Sequence, residues 1–346
     1  MDSTRSTPAA GWPLLALHPG LMLAALAIYP MLANDFFILQ IGGQTLMLGL
    51  IALSLMLLAG YGGMVTLSQM TVAGISAYMV ALLGDSHGGA SLGWPWWLAI
   101  PAAIMVAVIA AAFIGALSAK TEGIYTIMIT LAVGVAVFYL VLQNRVIFNG
   151  FQGLSHVRPP VVLGVDWRTP VAFYYLALAC AVAGYYFVWR LRRTAFGLAL
   201  QGIRDNPRRM SALGYDVIRH RIAAHAMAGA IAGVGGVLLA WYNTFVSPAT
   251  VGVDAMINVL LVAVIGGIRH PLGAFLGAAV FVLLQSFAID LIGSQRFRLL
   301  IGLIFLSTVL FSQDGLLGLW AQCRRWWVSV AGRRPFLISS SELPDR

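Results

Sequence analysis

Residues 36–59 read FFILQIGGQTLMLGLIALSLMLLA and contain no charged side chain. A helix needs about 20 mainly apolar residues to cross the hydrocarbon core of a bilayer, because each residue advances it by about 1.5 Å. The stretch therefore predicts a membrane-spanning helix. The whole chain agrees, since 60% of its residues are hydrophobic, 10% are charged and its mean hydropathy is +0.88. A soluble domain carries about 25% charged residues, so we expect an integral, all-α membrane protein.

Nine further stretches have the length and composition of a span. The predicted spans are 14–33, 36–59, 61–84, 94–117, 122–143, 170–190, 221–246, 251–268, 271–292 and 297–313. The third of them is rich in glycine and polar residues, so it is compatible with either a continuous helix or a broken, re-entrant one. The sequence thus predicts a polytopic protein of about ten transmembrane helices.

The distribution of basic residues predicts the orientation. Ten crossings place both termini on one side, and the loops then form two sets. One set holds sixteen of the 21 lysines and arginines, including eight arginines from Arg190 to Arg221, and the other set holds five. Because basic loops stay in the cytoplasm, we expect both termini and the 191–220 loop inside the cell, and the 144–169 loop outside. The net charge of +9 follows from this pattern and does not predict nucleic-acid binding.

Enzymatic and ion-coupling signatures are weak. The middles of the spans carry none of the charged relay residues that proton-coupled transporters use, although a secondary transporter that coordinates ions with backbone carbonyls stays an alternative. Lys120, the only lysine, lacks the surrounding glycines of a phosphate-binding loop. Two cysteines and six isolated histidines predict neither a disulfide nor a metal site. We therefore expect no catalytic residue, metal or cofactor in this chain.

A polar, glycine-rich segment opens the third span. Residues 60–69 read GYGGMVTLSQ, and further hydroxyl groups follow at Thr71, Ser76 and Tyr78. One interpretation is a tight helix seam in which hydroxyl groups bond back to their own helix. The other is the lining of a path for a small polar solute. The candidate path residues are Tyr61, Gly62, Gly63, Thr66, Ser68, Gln69 and Thr71.

The loop from Arg190 to Arg221 is the second distinctive segment. Its eight arginines and two aspartates give a net charge of +6, which by itself is typical of a connector near anionic lipid headgroups. The sequence at the centre of the loop contains helix start and stop signals that a simple connector does not need. Asn206 or Asp205 can cap a helix whose first residue is Pro207, and Gly214 can end that helix one or two turns later. A short cytoplasmic helix is therefore predicted here.

Several sequence blocks occur in an order that resembles a known family. They are GYGG at 60–63, TEGIY at 121–125, the pattern RxxxGxxLxxIRDN at 193–206 and VIGGIRHPLG at 264–273. The chain resembles the LivM-type branched-chain amino acid ABC transporter permeases over roughly residues 36–320. The resemblance implies a permease domain at 14–320, a cytoplasmic N-terminal tail at 1–13 and a basic cytoplasmic tail at 321–346, in a bacterial inner membrane.

The resemblance also implies partners and a function. The partners are a second, similar permease, two cytoplasmic ATPase subunits and a periplasmic solute-binding protein. The 191–220 loop would dock on an ATPase subunit and couple ATP hydrolysis to transport. The coupling residues implied are Arg204, Asp205, Asn206, Pro207, Ala212, Leu213 and Gly214. The implied solutes are branched-chain amino acids, with urea, short amides or other amino acids as alternatives, because residues 66–72 depart from the pattern common in the family.

Overall fold

The structure is a computed structural model that describes residues 19–84, 86–87, 91–162 and 165–292, with residues 302, 303, 306, 315 and 318. The described helices are α1 (Pro19–Leu32), α2 (Phe37–Tyr61), α3 (Gln69–Leu83), α4 (Trp96–Ser118), α5 (Ile124–Gln143), α6 (Arg145–Phe148), α7 (Pro170–Leu191), α8 (Ala195–Asp205), α9 (Pro207–Ala212), α10 (Val217–Asn243), α11 (Val253–Gly266) and α12 (Pro271–Ile292). Two-residue strands form two antiparallel pairs, β1 (Leu154–Ser155) with β4 (Phe245–Val246) and β2 (Val161–Val162) with β3 (Val165–Asp166).

The helices confirm an all-α, multi-pass membrane protein. Among the described residues, α2, α4, α5, α7 and α10 are long and apolar enough to cross a bilayer, and α11 with α12 adds a sixth crossing if the bent pair is one span. Their bounds lie within four residues of the predicted spans. The count of ten spans stays a prediction, because α1 has 14 residues, α3 has 15, and nearly all of the predicted span 297–313 lies outside the described residues, as do the tails at 1–13 and 321–346.

The third predicted span is a broken helix. Helix α2 ends in a wide turn at Leu57–Tyr61, residues 63–68 are not helical, and α3 begins only at Gln69. Gly63 has a φ of +67°, a left-handed conformation that ends a helix readily because glycine has no Cβ. Of the two forms that the sequence allowed, the interrupted one is therefore the form observed.

Helix α10 lies at the centre of the bundle and packs on α2, α3 and α4. In their most apolar stretches, α2 and α10 bury 72% and 67% of their residues, whereas α5 at the periphery buries 22%. Small residues bring the central backbones together. Gly229 and Gly233 of α10 pack against Ala111 and Ala107 of α4, as expected for a motif of glycines four residues apart.

A second irregularity lies beside the first. Helices α11 and α12 correspond to the separate spans predicted at 251–268 and 271–292, and they meet at a bend of 116°. The bend places the Ile268 carbonyl against Gly60, so closely that no Cβ fits at residue 60. The break after α2 and the bend between α11 and α12 are thus packed together in the bundle.

Candidate functional site

The broken segment carries the predicted polar groups, and they are buried. Thr66, Ser68 and Thr71 are 0% exposed and Gln69 is 1% exposed. We call these buried groups the polar strip. The structure adds Ser54 of α2 to it, because the Ser54 hydroxyl group lies 3.0 Å from Gln69 Oε1. Tyr61 and Gly62 are also buried, but Gly63 is exposed. The candidate path residues therefore form one continuous segment that runs from an exposed glycine into the bundle.

Helix α5 supplies two members of the polar strip that sequence reasoning missed. The Leu67 backbone N–H donates a hydrogen bond to Thr130 Oγ1 (3.2 Å), and the Thr130 hydroxyl group lies 2.9 Å from the Thr126 carbonyl oxygen. Both threonines are buried, at 0% and 2% exposure. Their signal in the sequence was the i, i+4 spacing, which places two hydroxyl groups on one face of an otherwise apolar helix.

Several polar atoms of the strip are buried without a hydrogen-bond partner in the described part of the chain. They are Thr66 Oγ1, Ser68 Oγ, Gln69 Nε2 and Thr71 Oγ1. Ser118 differs from these residues, because its hydroxyl group donates a hydrogen bond to the Ile114 carbonyl oxygen of its own helix (3.0 Å). Each unmade bond costs about 1–3 kcal/mol. Helix packing does not need buried polar groups without a partner. A surface that binds a polar solute does need them.

The start of α3 adds a positive end to this strip. The first N–H groups of a helix have no partner within the helix and carry the positive end of its dipole. Here that end lies at Ser68 and Gln69, both buried. Helix ends inside transporters bind anionic groups in this way. The buried end of α3 can therefore attract a carboxylate without a charged side chain.

Cavities lie at both ends of the broken segment. An inner cavity of 130 Å³ is lined by residues 62–64, the α4–α5 turn at 121–123, the α8–α9 junction and Arg221. An outer cavity of 370 Å³ lies at the C-terminal end of α3, where Gly84 meets Trp94, Trp241 and the stacked rings of His87 and His156. The polar strip and α3 therefore lie, along the chain, between residues 62–64, which line one cavity, and Gly84, which lines the other.

The basic loop folds as two short helices. Helix α9 begins at Pro207, the Asn206 side chain accepts a hydrogen bond from the Arg209 N–H (2.9 Å), and Gly214 has a φ of +89°. The prediction of a helix capped by Asn206 and followed by Gly214 is confirmed. The structure adds α8, which Thr194 caps by accepting from the Gly197 N–H (3.3 Å). Its signal was the spacing of Phe196, Leu200 and Ile203 on one apolar face.

The two groups of candidate residues meet at Arg204. Its Nη1 donates a hydrogen bond of 2.7 Å to the Gly60 carbonyl oxygen at the end of α2. Its Nε and Nη2 lie 2.9 Å from Asp205 Oδ1. Ala212, Leu213 and Gly214 are exposed. Arg204 therefore joins the basic loop to the broken helix, and the end of α9 presents a free surface.

A helical membrane protein with a broken, polar-lined helix between two cavities belongs to the class of membrane transport proteins. The family can be stated more narrowly, because the family model described as the permease component of branched-chain amino acid transport systems matches residues 37–309. The chain belongs to this family. That match covers the broken helix and the basic loop together.

Individual relatives agree with this assignment. The chain is 26% identical over 332 residues to the high-affinity branched-chain amino acid transport system permease protein LivM of Salmonella typhimurium, covering 89% of this chain and 72% of that protein. It is 30% identical over 188 residues to a probable LivM permease of Methanocaldococcus jannaschii, covering 53% and 54%. It is also 27% identical over 275 residues to the autoinducer 2 import system permease protein LsrC of Salmonella paratyphi B, covering 76% and 75%. No solved structure matches the chain.

Proposed function

We propose that this chain is the membrane permease of a binding-protein-dependent ABC importer for branched-chain amino acids in a bacterial inner membrane. The observation that carries the proposal is the buried polar strip at the helix break, between two cavities, in a member of this family. A relative that is named for another solute aligns with 76% of this chain at 27% identity, so the solute is argued from the site.

The chemistry of the polar strip fits a small zwitterion with an aliphatic side chain. Tyr61, Gly62, Gly63, Thr66, Ser68, Gln69 and Thr71 line the proposed path. The helix N-terminus at Ser68 receives the carboxylate, and the uncharged hydroxyl and amide groups bind without holding the solute tightly. Apolar contact is available beside them, where Met256 packs near Gly134 and Thr71. A weak internal site suits a carrier that receives its solute from a separate binding protein.

Energy comes from partner subunits in this proposal. The exposed end of α9 docks on a cytoplasmic ATPase subunit through the coupling residues Arg204, Asp205, Asn206, Pro207, Ala212, Leu213 and Gly214. In support, Leu213 is 67% exposed and Tyr215 is 43% exposed, so the end of α9 offers a partner apolar contact beside the basic residues. Two ATPase subunits, a second permease and a periplasmic solute-binding protein complete the complex.

The proposed orientation places both termini and the 191–220 loop in the cytoplasm. Cysteine labelling tests it with two exposed positions, Arg208→Cys on α9 and Gln152→Cys in the 144–169 loop. An impermeant thiol reagent added to intact cells should label residue 152 and spare residue 208. The opposite pattern would invert the topology, and with it the side on which the ATPase docks.

Transport by the assembled complex tests the function. Proteoliposomes that contain this chain with its partner permease and ATPase subunits should accumulate radiolabelled leucine, isoleucine or valine when ATP and the binding protein are supplied. Unlabelled urea, short amides and other amino acids serve as competitors. Preferential uptake of one of these competitors would replace the proposed solute. Uptake by this chain alone, without ATP, would favour a secondary transporter.

A further inference from the structure

We propose that Arg204 is a positioning residue, which we call the latch, between the helix break at residues 63–68 and the ATPase-docking loop at residues 191–220. Its hydrogen bond holds these two segments together and must break before solute can reach the cytoplasm. The inference rests on the proposed function, since it assumes that α9 docks on an ATPase subunit. It goes beyond that function by assigning the mechanical connection to one contact. The contact joins residues 144 positions apart in the sequence, at 2.7 Å.

The acceptor is a carbonyl group that the break has set free. At the end of α2, the Met64 N–H bonds to the Leu58 carbonyl oxygen across the wide turn. The last carbonyl groups of a helix have no partner within it. Arg204 supplies a charge-assisted donor to the Gly60 carbonyl, and such bonds are stronger than those between neutral groups. The guanidinium thus acts as the missing cap of α2.

Shape restricts the same contact. A Cβ built on Gly63 would lie 2.5 Å from Arg204 Cγ and 3.3 Å from its Cβ. Gly60 has no space for a side chain on its other side, where the Ile268 carbonyl packs against it. The stem of Arg204 therefore fills the concave side of the break while its head holds the carbonyl. A movement of α8 must either carry the break with it or break this contact.

A second arginine, Arg221 at the other end of the basic loop, is held in a fixed position by comparison with Arg204. Arg221 of α10 donates to the Ala119 carbonyl oxygen (2.9 Å) and pairs with Glu122 (2.9 Å) in the α4–α5 turn, and its side chain is 9% exposed. The Arg204 side chain is 37% exposed and already shares its guanidinium with Asp205. Released from Gly60, Arg204 retains a carboxylate partner, so its contact is the one suited to opening.

The two arginines contact different parts of the lining of the inner cavity. Arg221 fixes the wall formed by residues 121–123, and Arg204 holds the wall formed by residues 62–64. Helix α9 lies in the chain between them. When an ATPase subunit displaces α9, the Arg221 side stays in place and the Arg204 side moves. The cavity then widens at the helix break, which is where the polar strip begins.

A reversible cross-link tests the release step. Gly63→Cys and Arg204→Cys are combined in the assembled importer after Cys180→Ala and Cys323→Ala, because the Cβ separation of 3.3 Å is close to the range of about 3.5–4.5 Å found in disulfides. Oxidation should lower ATP-dependent leucine uptake at least tenfold below the rate of the reduced double variant, and reduction should restore that rate. The two single-cysteine proteins should not respond to oxidant. Full uptake by the oxidised, cross-linked complex would overturn the proposal.

A charge variant tests the latch without a cross-link. Arg204→Gln should hydrolyse ATP at near the wild-type rate while uptake falls at least fivefold, so that more ATP is consumed per leucine, and Arg204→Lys should recover part of the loss. Arg208→Gln, which removes an exposed arginine from the same loop, is the matched control and should keep the wild-type ratio. A loss of uptake and ATP hydrolysis in equal proportion, or a wild-type ratio, would contradict the latch.

These outcomes separate the latch from the importer function. Coupled uptake by the wild-type complex establishes the importer, and its absence would contradict the proposed function whatever Arg204 does. If wild type is coupled and Arg204→Gln is equally coupled, only the latch fails. If the reduced double-cysteine protein is inactive from the start, the Arg204→Gln ratio decides alone.

Discussion

The polar side chains of the polar strip and of the basic loop differ in their hydrogen bonding. In the exposed loop, Thr194, Asn206 and Asp216 each accept a hydrogen bond from the backbone N–H three residues ahead, at 3.3, 2.9 and 3.0 Å. In the buried strip, Thr66, Ser68 and Thr71 hydroxyl groups find no partner among the described residues. The caps of the exposed loop are bonded to their own backbone, whereas these three buried hydroxyl groups are not bonded to the described part of the protein around them.

The difference in hydrogen bonding fits two different roles, which are docking for the loop and solute passage for the strip. Each helix cap stabilises its helix by about 1 kcal/mol, so the caps favour the folded form of the loop before it docks. Each unmade buried bond costs about 1–3 kcal/mol, so the strip is tolerated only because the surrounding bundle holds it. A rigid surface suits docking, and unpaired polar groups suit a solute that arrives and leaves. The following predictions test this contrast, from the largest expected effect to the smallest.

The docking surface should be the most sensitive part of the loop. We expect Ala212→Glu to lower uptake at least about thirtyfold, because docking must take the new carboxylate out of water, at a cost of about 2 kcal/mol or more. Ala212 is exposed, so the permease itself should fold normally. The solute affinity of the binding protein should not change. Ala212→Ser is the control, and wild-type uptake by Ala212→Glu would remove α9 from the interface.

Bonded and unbonded threonines of the strip should differ in stability. Thr130→Val leaves the buried Leu67 N–H without its acceptor, so we expect a loss of about 1–3 kcal/mol in the free energy of unfolding. Thr71→Val has the same shape change but removes a hydroxyl group without a described partner, so we expect little loss. Thermal unfolding of the detergent-solubilised complex measures both. Equal losses would show that the two hydroxyl groups are held alike.

Transport should depend on the unpaired groups more than stability does. We expect the double variant Ser68→Ala with Gln69→Leu to reduce uptake about tenfold, equivalent to about 1.4 kcal/mol, and to change solute preference. The control is Ser76→Ala, because the Ser76 hydroxyl group donates to the Gly233 carbonyl oxygen (2.8 Å) in a helix seam. That control should affect stability and leave solute preference intact. Wild-type rate and preference in the double variant would leave packing as the better account.

The smallest effect is expected at the α9 cap. Asn206→Ala removes the acceptor of the Arg209 N–H and should cost about 1 kcal/mol of local helix stability. Uptake should then fall by less than about fivefold, because docking can still order α9. Asn206→Asp keeps the acceptor and should retain wild-type uptake. A complete loss with Asn206→Ala would show that docking cannot order α9 without this cap.

The sequence predicted the main elements of this molecule because their signals are local. Length and hydropathy predicted the long helices α2, α4, α5, α7 and α10 within four residues. The order of a capping side chain, a proline and a glycine predicted α9, since all three act within two helical turns. The amphipathic helix α8 was missed, because Gly197 and Gly202 weaken the helical signal of its three-residue apolar face.

What only the tertiary structure decided is how distant segments complete one another. Glycines in the sequence allowed a continuous or a broken third span, and the choice depends on the partners that the bundle supplies. Arg204 caps the end of α2, Thr130 receives the Leu67 N–H, and the Ile268 carbonyl leaves Gly60 no space for a side chain. In a membrane, backbone groups that leave a helix must find partners inside the protein. Those partners lie 63 to 144 positions away along the chain for the two hydrogen bonds, beyond the reach of any local pattern.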